Sequence, residues 1–431
     1  MVATEVREGV GGRYGGLVQD AAADFRVHTR VYTDPALFEA ELERLFHRGW
    51  VYVGHTSELA QPGAFKTTRL GRRPILLTRD EAGGLHVLLN VCRHRGATVC
   101  REAAGQAASF QCPYHGWVYG LDGGLRGISE RAGYPAAFGA DLEGLLRVPR
   151  VAEYRGLIFA SLSAAGESLE RWLGGARAYI DLWADLSPTG RVAVRPAHRY
   201  AYAGNWKFQV ENTVDGYHPR FVHESAFKTR EHFGGRPARL SASAMDDGYT
   251  LGWDEQGHSI LGSPVPPTGP RVGLTPLPPP LFREYMDRLE RASGAERTAA
   301  IIHNRHLVIM PNLVLMDVNI RVIQPLAVDR TEVYSHFVSL DGVPDEVNRL
   351  RLRDVQGRLG TTGMINTDDA EMFAACQSGL QTPELEWVHF ARGLGREERL
   401  ADGARRASYT DETPQRALYR AWVRLMEGTG E

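Results

Sequence analysis

Two short segments of the chain each carry a cysteine and a histidine separated by one or two residues. The first is Cys92-Arg-His94, the second is Cys112-Pro-Tyr-His115, and a glycine lies four residues after each cysteine, at Gly96 and Gly116. Glycine lets the backbone turn around a bulky group, because it adopts conformations that other residues avoid. Two thiolates and two imidazoles bind zinc, or a [2Fe–2S] cluster with both cysteines on one iron and both histidines on the other. Spacing alone leaves both metal sites open.

A second group of candidate ligands lies in residues 205–223, which contain His218 and His223. Non-heme iron oxygenases bind Fe(II) through two histidines and one carboxylate and leave positions open for O2 and substrate. On a regular helix, a separation of five residues turns two side chains about 140° apart. Pro219 disfavours helix at the residue before it, so we predict a helix over residues 205–218 that breaks before His223. The alternative is a simple pair of surface histidines.

Three aspartates are candidates to complete this second group. Asp215 lies three residues before His218, so on one helix the two side chains share a face. A metal-bound histidine usually donates its second N–H to a carboxylate or carbonyl, and Asp215 can accept that bond or bind the metal itself. Asp368 and Asp369 precede a predicted helix. Asp368 with Glu371, three residues on, also fits an ordinary capping box.

Both groups of residues resemble the motifs of one enzyme family. Residues 91–97 and 111–117 resemble the two cluster loops of the Rieske non-heme iron ring-hydroxylating oxygenases, and residues 205–223 resemble their catalytic motif. The resemblance covers nearly the whole chain and identifies it as a large (alpha) subunit. It implies a Rieske [2Fe–2S] cluster bound by Cys92, His94, Cys112 and His115.

The resemblance also implies roles for the residues of the catalytic motif. It makes His218 and His223 ligands of a mononuclear Fe(II), with the second aspartate of the pair, Asp369, as the third ligand and Asp368 as the alternative. It makes Asp215 the bridge that carries electrons between subunits, because this carboxylate bonds a cluster histidine of a neighbouring subunit in the family. The matching cluster histidine in this sequence is His115.

The surrounding sequence predicts the elements that position these residues. Short apolar runs punctuated by glycine over residues 51–163 indicate a small all-β domain. The apolar runs 307–316, 319–325 and 332–338 predict neighbouring strands of a sheet, and residues 413–427 predict a helix. Together with the resemblance, these patterns predict an α+β fold. We expect an all-β Rieske [2Fe–2S] domain (49–165) inserted in a catalytic domain of the helix-grip type, which consists of an antiparallel sheet plus helices. The catalytic domain comprises residues 166–431, and an N-terminal segment (1–48) joins it.

Composition and charge exclude several other classes of protein. A formal net charge of -2 over 431 residues gives no indication of binding to nucleic acid or to an acidic membrane. No apolar run approaches the roughly 18 residues of a membrane span, and residues 1–33 lack the apolar core of a signal peptide. We therefore expect a cytoplasmic protein. Its four cysteines are then ligands or buried thiols and form no disulfides, and they are Cys92, Cys100, Cys112 and Cys376.

The predicted reaction is the hydroxylation of an aromatic compound with O2 as co-substrate. The form of the reaction that we expect is cis-dihydroxylation. The sequence has no credible flavin or nicotinamide motif, so electrons from NAD(P)H must arrive indirectly, through a reductase and a ferredoxin. The resemblance implies a homotrimer, with a small beta subunit in an alpha3beta3 assembly. The alternatives are a Rieske mono-oxygenase or O-demethylase of the same fold, a dioxygenase of polycyclic aromatic hydrocarbons, and a Rieske electron carrier without enzymatic activity.

The substrate is the least determined part of the prediction. The Asp-Gly-Tyr-His form of residues 215–218 resembles benzoate- and salicylate-type members more closely than naphthalene-type members, which favours an aromatic carboxylic acid. Candidates for an apolar substrate pocket are Met310, Val314, Leu359 and Ile365. Candidates to bind a carboxylate are Asn304, Arg305, His306, Arg321 and Arg392. Core packing or an ordinary structural role is the competing explanation for each of them.

Overall fold

The structure is a computed structural model of the chain. It describes residues 13–139, 144–234, 247–264, 270–272, 275–317, 319–360 and 363–428. The chain divides into two compact units, a small unit (Phe46–Leu169) and a large unit (Met1–Leu45 and Glu170–Glu431). Among the described residues, none of the helices combines the length and the apolar character that crossing a membrane requires.

The described part of the chain begins with elements of the large unit. These are a 3₁₀ turn (Gly15–Leu17), strands β1 (Val18–Asp20) and β2 (Phe25–His28), and helices α1 (Arg30–Thr33) and α2 (Pro35–Glu41), followed by a π-helical turn (Leu42–His47). Asp34 caps α2, because its Oδ1 accepts a hydrogen bond from the backbone N–H of Ala36 at 2.9 Å.

The small unit is built from short strands. They are β3 (Val51–His55), β4 (Ala64–Leu70), β5 (Arg73–Arg79), β6 (Leu85–Leu89), β7 (Ala104–Gln106), β8 (Ser109–Gln111), β9 (Val118–Gly120), β10 (Leu125–Gly127), β11 (Arg150–Tyr154) and β12 (Leu157–Ser161). The strands form three antiparallel sheets in the orders β11-β12-β3, β6-β5-β4-β7 and β10-β9-β8. Its described helices are 3₁₀ turns (Thr56–Leu59 and Arg131–Gly133), so the predicted all-β organisation is confirmed.

The remaining elements complete the large unit. They are α3 (Leu169–Leu173), α4 (Ala176–Ala184), β13 (Val192–Tyr202), α5 (Trp206–Thr213), α6 (Pro219–Val222), α7 (Glu224–Gly234), β14 (Tyr249–Gly252), β15 (Ser259–Ser263), β16 (Arg271–Val272), β17 (Thr275–Pro276), α8 (Pro279–Ser293), α9 (Ala295–Ile301), β18 (Asn304–Ile309), β19 (Leu313–Met316), β20 (Asn319–Ala327), β21 (Arg330–Leu340), α10 (Asp345–Leu359), α11 (Asn366–Gly379), β22 (Trp387–His389), β23 (Glu398–Arg399), β24 (Arg405–Ser408) and α12 (Thr413–Glu427).

A nine-stranded antiparallel sheet organises the large unit, in the order β13-β21-β20-β19-β18-β15-β14-β24-β23. Two small sheets, β1-β2-β22 and β16-β17, accompany it. The three apolar runs predicted as neighbouring strands are neighbours in the large sheet. The run 307–316 contains two strands, because Met310, Pro311 and Asn312 form the connection between β18 and β19. The predicted helix at residues 413–427 is α12.

The predicted extent of the helix before His218 is wrong. The helix α5 ends at Thr213, whose side chain bonds back to the carbonyl oxygen of Gln209 at 2.7 Å. Gly216 then approaches Tyr409 so closely that a Cβ would overlap the tyrosine's carbonyl oxygen. Pro219 opens a new helix, α6, as its first residue, which suits proline because that position needs no N–H donor. Asp215 and His218 therefore lie in a loop and share no helical face.

The expectation for one cysteine is also wrong. Cys92, Cys100 and Cys112 are buried free thiols, but Cys376, on α11, is an exposed free thiol. Helix α11 buries Asp369, Phe373 and Gln377, which are spaced four residues apart and so share one face. Cys376 lies at the edge of that face, about 20° around the helix from Asp369, and is exposed.

The start of the catalytic motif, Asn205-Trp206-Lys207, fixes α5 in the core. The side chain of Asn205 caps the helix by accepting the N–H of Lys207 at 3.1 Å. The Lys207 Nζ lies 2.7 Å from Glu41 Oε1, and both side chains are buried. The indole N–H groups of Trp206 and Trp422 also donate to Glu41, at 2.9 and 2.7 Å. A single carboxylate thus joins α2, α5 and α12.

Replacing Lys207 tests the importance of this buried ion pair. We expect Lys207→Met to lower the free energy of unfolding by about 3–5 kcal/mol, because the Glu41 carboxylate stays buried without its counter-charge. Urea denaturation followed by tryptophan fluorescence measures the change. The matched control is Lys228→Met, since Lys228 pairs with Glu224 at 2.9 Å but is 71% exposed, and exposed pairs contribute little. Equal effects of the two substitutions would contradict the role given to Glu41.

Candidate metal centres

The two cysteine–histidine segments form loops with the same backbone hydrogen bonds. In the first loop, the N–H of Cys92 donates to the carbonyl of Ala97 at 2.8 Å. In the second, the N–H of Cys112 donates to the carbonyl of Trp117 at 2.8 Å. The glycine after each histidine has φ of 75° and 70°, in the left-handed region that glycine adopts without strain. The structure therefore supports the turn role that the sequence predicted for these glycines.

Within these loops the cysteines lie deeper than the histidines. Cys92 and Cys112 belong to the buried core of the small unit, whereas His94 and His115 are half-buried. The two imidazole rings lie 4.6 Å apart between centroids. His94 Nδ1 is buried and has no hydrogen-bond partner, and a buried imidazole nitrogen without a partner fits a metal ligand. The four donors therefore fit a cluster with a thiolate side and an imidazole side.

Another group of side chains places its donor atoms close enough together for a single metal ion. A tetrahedral zinc holds its ligand atoms within about 4 Å of one another, because each lies about 2.0–2.3 Å from the metal. Among the described residues, the group of three or more possible ligands whose donor atoms all lie within 4.8 Å is His218, His223 and Asp369.

A tyrosine hydrogen-bonded to Cys92 was not predicted from the sequence. The hydroxyl of Tyr119 lies 3.2 Å from Cys92 Sγ and accepts the backbone N–H of Arg93 at 3.1 Å. Because the hydroxyl oxygen already accepts a bond, its proton is available to the sulfur. Hydrogen bonds to cluster sulfurs help to set the reduction potential. Only the position of Tyr119, on the strand after the second loop, indicated this role.

The second candidate centre brings together the three residues named for it. Asp369 Oδ1 lies 3.6 Å from His218 Nε2 and 3.2 Å from His223 Nε2. The histidines flank the four-residue helix α6, and Asp369 lies in the first turn of α11. The interruption of the chain at α6 therefore removes the angular mismatch that a continuous helix would impose on residues five apart.

A second carboxylate lies behind each imidazole. Asp215 Oδ2 lies 3.1 Å from His218 Nδ1, although the angles fall short of a hydrogen bond. Asp368 Oδ2 lies 3.5 Å from His223 Nδ1. This is the arrangement in which a metal-bound histidine is oriented by an acidic neighbour. The alternative interpretation of Asp368 as a helix cap is wrong, because α11 begins at Asn366, after Ile365 at the cap position.

Electrostatics at this centre favour an ionised carboxylate. Burial acts to raise the pKa of Asp369, but its hydrogen bond to His223 and the nearby positive groups outweigh burial and lower the pKa. Burial acts to lower the pKa of His223, but Asp369 and Asp368 outweigh it and raise the pKa. Asn212, which was not predicted, donates to Asp369 Oδ1 at 3.0 Å and lies 3.1 Å from His218 Nε2. The three ligand candidates and Asn212 thus form one polar cluster.

The four predicted pocket residues occupy different parts of the large unit. Met310 is buried beside Gly257, and Leu359 is buried at the end of α10. Val314 is buried on β19, and Ile365 accepts the backbone N–H of Asp369 at 3.2 Å. Ile365 therefore lies beside the candidate iron ligands, whereas the assignment of all four to a substrate pocket stays a prediction.

Comparisons with known proteins agree with these two centres. The family model of the Rieske [2Fe-2S] domain matches residues 49–138, and that of the ring hydroxylating alpha subunit (catalytic domain) matches residues 170–428. The large subunit of 2-halobenzoate 1,2-dioxygenase from Burkholderia cepacia is 35% identical to the chain, covering 86% of the chain and 81% of that protein. The alpha subunit of toluate 1,2-dioxygenase from Pseudomonas putida is 37% identical, with coverages of 82% and 79%. The chain belongs to the Rieske ring-hydroxylating oxygenase family.

The fold of this Rieske oxygenase matches a solved structure of the family. The crystal structure of naphthalene 1,2-dioxygenase from Rhodococcus sp. bound to indole superposes with a TM-score of 0.80, at 27% identity, and the match covers 94% of this chain and 95% of that one. The predicted fold class is confirmed, as is the enzyme class. The family implies a Rieske cluster and iron, and electron-transfer partners. The alternatives of a zinc protein and of an electron carrier are therefore wrong.

The two adjacent aspartates of the Rieske oxygenase give a direct test of its iron ligands. We expect Asp369→Ala to abolish binding of the mononuclear iron, because the carboxylate facing both histidines is lost. Asp368→Ala should weaken binding about 10–100-fold, as the loss of an orienting carboxylate does. Titration of Fe(II) into iron-depleted protein measures both, and visible absorbance checks that the cluster is intact. Tighter binding by the Asp369 variant than by the Asp368 variant would reverse the assignment.

Proposed function

We propose that this oxygenase cis-dihydroxylates the ring of an aromatic carboxylic acid. The observation that carries the proposal is the meeting of two histidines and one carboxylate, His218, His223 and Asp369, in a chain of this family. Two of its relatives are named for 2-halobenzoate and toluate, and both compounds are substituted benzoates. In the reaction, the ring, O2, two electrons and two protons give one cis-diol.

We assign the metal ligands as follows. Cys92 and Cys112 bind one iron of the [2Fe–2S] cluster, and His94 and His115 bind the other. His218, His223 and Asp369 bind the mononuclear Fe(II), which activates O2 beside the substrate when it is bound. A carboxylate can only accept a hydrogen bond, so Asp215 and Asp368 favour the proton on Nδ1 of the two histidines. When the metal is bound, that tautomer would supply the Nε2 lone pair of each histidine to it, in place of the contacts of Nε2 with Asp369 and Asn212.

Electrons reach the oxygenase from separate proteins, a ferredoxin and a reductase that oxidises NAD(P)H. Within a homotrimer, Asp215 couples His218 to His115 of the partner subunit. Asp215 is suited to this role because it is near His218 Nδ1 and is only partly buried. Beside it, Tyr217 and Phe221 are exposed aromatic residues, which is typical of a surface that a second subunit covers. A small beta subunit completes an alpha3beta3 assembly.

The variant Asp215→Ala tests the coupling between subunits. It should keep the cluster, as measured by absorbance. At saturating Fe(II) it should also keep the mononuclear iron, as measured by iron content, because loss of an orienting carboxylate weakens metal binding but removes no ligand. Turnover driven by the reductase should still fall, by about 100-fold. A variant with near-normal turnover would remove Asp215 from the electron path. Purified chain that sediments as a monomer while active would contradict the inter-subunit path itself.

Isotope labelling tests the reaction. With ¹⁸O2, benzoate and a surrogate reductase, we expect both labelled oxygen atoms in one cis-diol, because both atoms of O2 enter the ring. One labelled atom in a phenol would indicate a mono-oxygenase, and formaldehyde from methoxybenzoate would indicate an O-demethylase. Oxidation of naphthalene but of no aromatic acid would indicate a dioxygenase of hydrocarbons.

A further inference from the structure

Arg321, on β20, is a buried cation that has no anionic partner in the part of the chain that the structure describes. Only 3% of the surface of Arg321 is exposed. One N–H of its Nη2 donates to Asn366 Oδ1 at 2.7 Å, and its Nε is buried without a hydrogen-bond partner. Among the described residues, no carboxylate forms an ion pair with it. A buried guanidinium in this state is costly, because it has lost water without gaining an opposite charge.

Two other buried arginines of the large unit differ from Arg321. Arg416 forms an ion pair with Glu397 at 2.6 Å and also donates to backbone carbonyls. Arg351 donates to the carbonyl oxygens of Val338 and Asp317. Arg416 therefore has an anionic partner, and both Nη atoms of Arg351 have acceptors although its Nε, like that of Arg321, has none. The hydrogen-bond partner of Arg321 is one neutral amide.

The sheet places Arg321 on one face together with its cross-strand neighbours. Directly paired residues of antiparallel strands project to the same side of a sheet. Following the pairs across β13, β21, β20, β19 and β18 gives one row, formed by His198, Ser335, Arg321, Val314 and Val308.

The same face lies against the helix that leads to the iron ligands. Tyr200 and His306 are each two residues along their strands from the row and so share its side of the sheet. Tyr200 donates to Gln209 of α5 at 2.9 Å, and His306 Nδ1 lies 3.0 Å from the carbonyl oxygen of Thr213, the last residue of α5. Arg321 is therefore on the side of the sheet that faces the candidate iron centre.

The partner of Arg321 places it near the iron centre from a second direction. Asn366 is the first residue of α11, three residues before Asp369. A second polar atom on this face, His306 Nε2, is also buried without a hydrogen-bond partner. Two polar atoms without partners, on one face beside the metal ligands, indicate the position of a polar ligand.

We propose that Arg321 binds the carboxylate of the substrate and so makes this oxygenase selective for aromatic acids. The inference rests on the proposed function. A carboxylate offers two coplanar oxygens, which match two N–H groups of a guanidinium. Val314, next to Arg321 in the row, is apolar and buried, which suits the ring that carries the carboxylate.

The experiment compares an acid with its neutral analogue. The probes are benzoate and benzamide, which have similar shapes and differ in charge, and kcat and KM are measured for each. We expect Arg321→Gln to lower kcat/KM for benzoate on the order of 100-fold, mainly through KM, because a buried charge partner is lost. The value for benzamide should change by less than about threefold, since its neutral amide needs no cation.

The matched control is Arg305→Gln. Arg305 is on β18 next to His306 and so projects to the opposite side of the sheet. It donates to the carbonyl of Ala300 at 2.7 Å and to the hydroxyl of Tyr249 at 3.3 Å. This control should keep the wild-type ratio of benzoate to benzamide turnover. A loss of benzoate selectivity in Arg305→Gln equal to that in Arg321→Gln would contradict the assignment.

Each outcome decides one proposal. Equal losses for benzoate and benzamide in Arg321→Gln, with iron retained, would make Arg321 a structural residue and overturn the inference. If this variant does not fold, Arg321→Lys decides, because lysine keeps the charge but lacks the paired donors. Arg321→Lys should then lower benzoate turnover about tenfold and leave benzamide turnover nearly unchanged. Equal losses of benzoate and benzamide turnover would overturn the inference. Wild-type enzyme that oxidises benzamide but no aromatic acid would contradict the proposed acid substrate, and the inference with it.

Discussion

The negative charge of Asp369, placed between two imidazoles, is the interaction on which the arrangement of the large unit depends. Two histidines five residues apart reach it because the chain stops one helix at Thr213 and starts a four-residue helix at Pro219. Helix α11 presents the carboxylate in its first turn. The buried contact of Lys207 with Glu41 holds α5, which precedes the histidines, in the core. Each of these elements therefore helps to position one or more of the three ligand candidates.

The sequence allowed the chemistry to be predicted better than the backbone that supports it. Ligand types at short spacing, such as those of Cys92 and His94, are local properties, so they were recognisable without a structure. The end of α5 was predicted five residues too late, because it is set by contacts that are distant in sequence. The packing of Gly216 against Tyr409 and the pairing of Lys207 with Glu41 join segments more than 160 residues apart. Apolar and polar patterning carries no information about such contacts.

The same limit applies to the substrate side of the iron centre. Arg321 was one of several candidates in the sequence, since nothing in its neighbours indicated burial without an anionic partner. The cross-strand pairing of β20 with β19 and β21 decides which face it occupies, and this pairing is a tertiary property. Tyr119 and Asn212 are similar cases, because each acts on a ligand candidate that is far from it in sequence or separated from it by a loop.

The central claim is that one polypeptide binds two chemically different iron centres. Quantification of iron and acid-labile sulfide in the purified chain, with its visible absorbance, tests this most directly. The claim predicts about three irons and two sulfides per chain, because a [2Fe–2S] cluster and a mononuclear iron are both present. Zinc in place of iron, or two irons per chain in a preparation with full oxygenase activity, would contradict it.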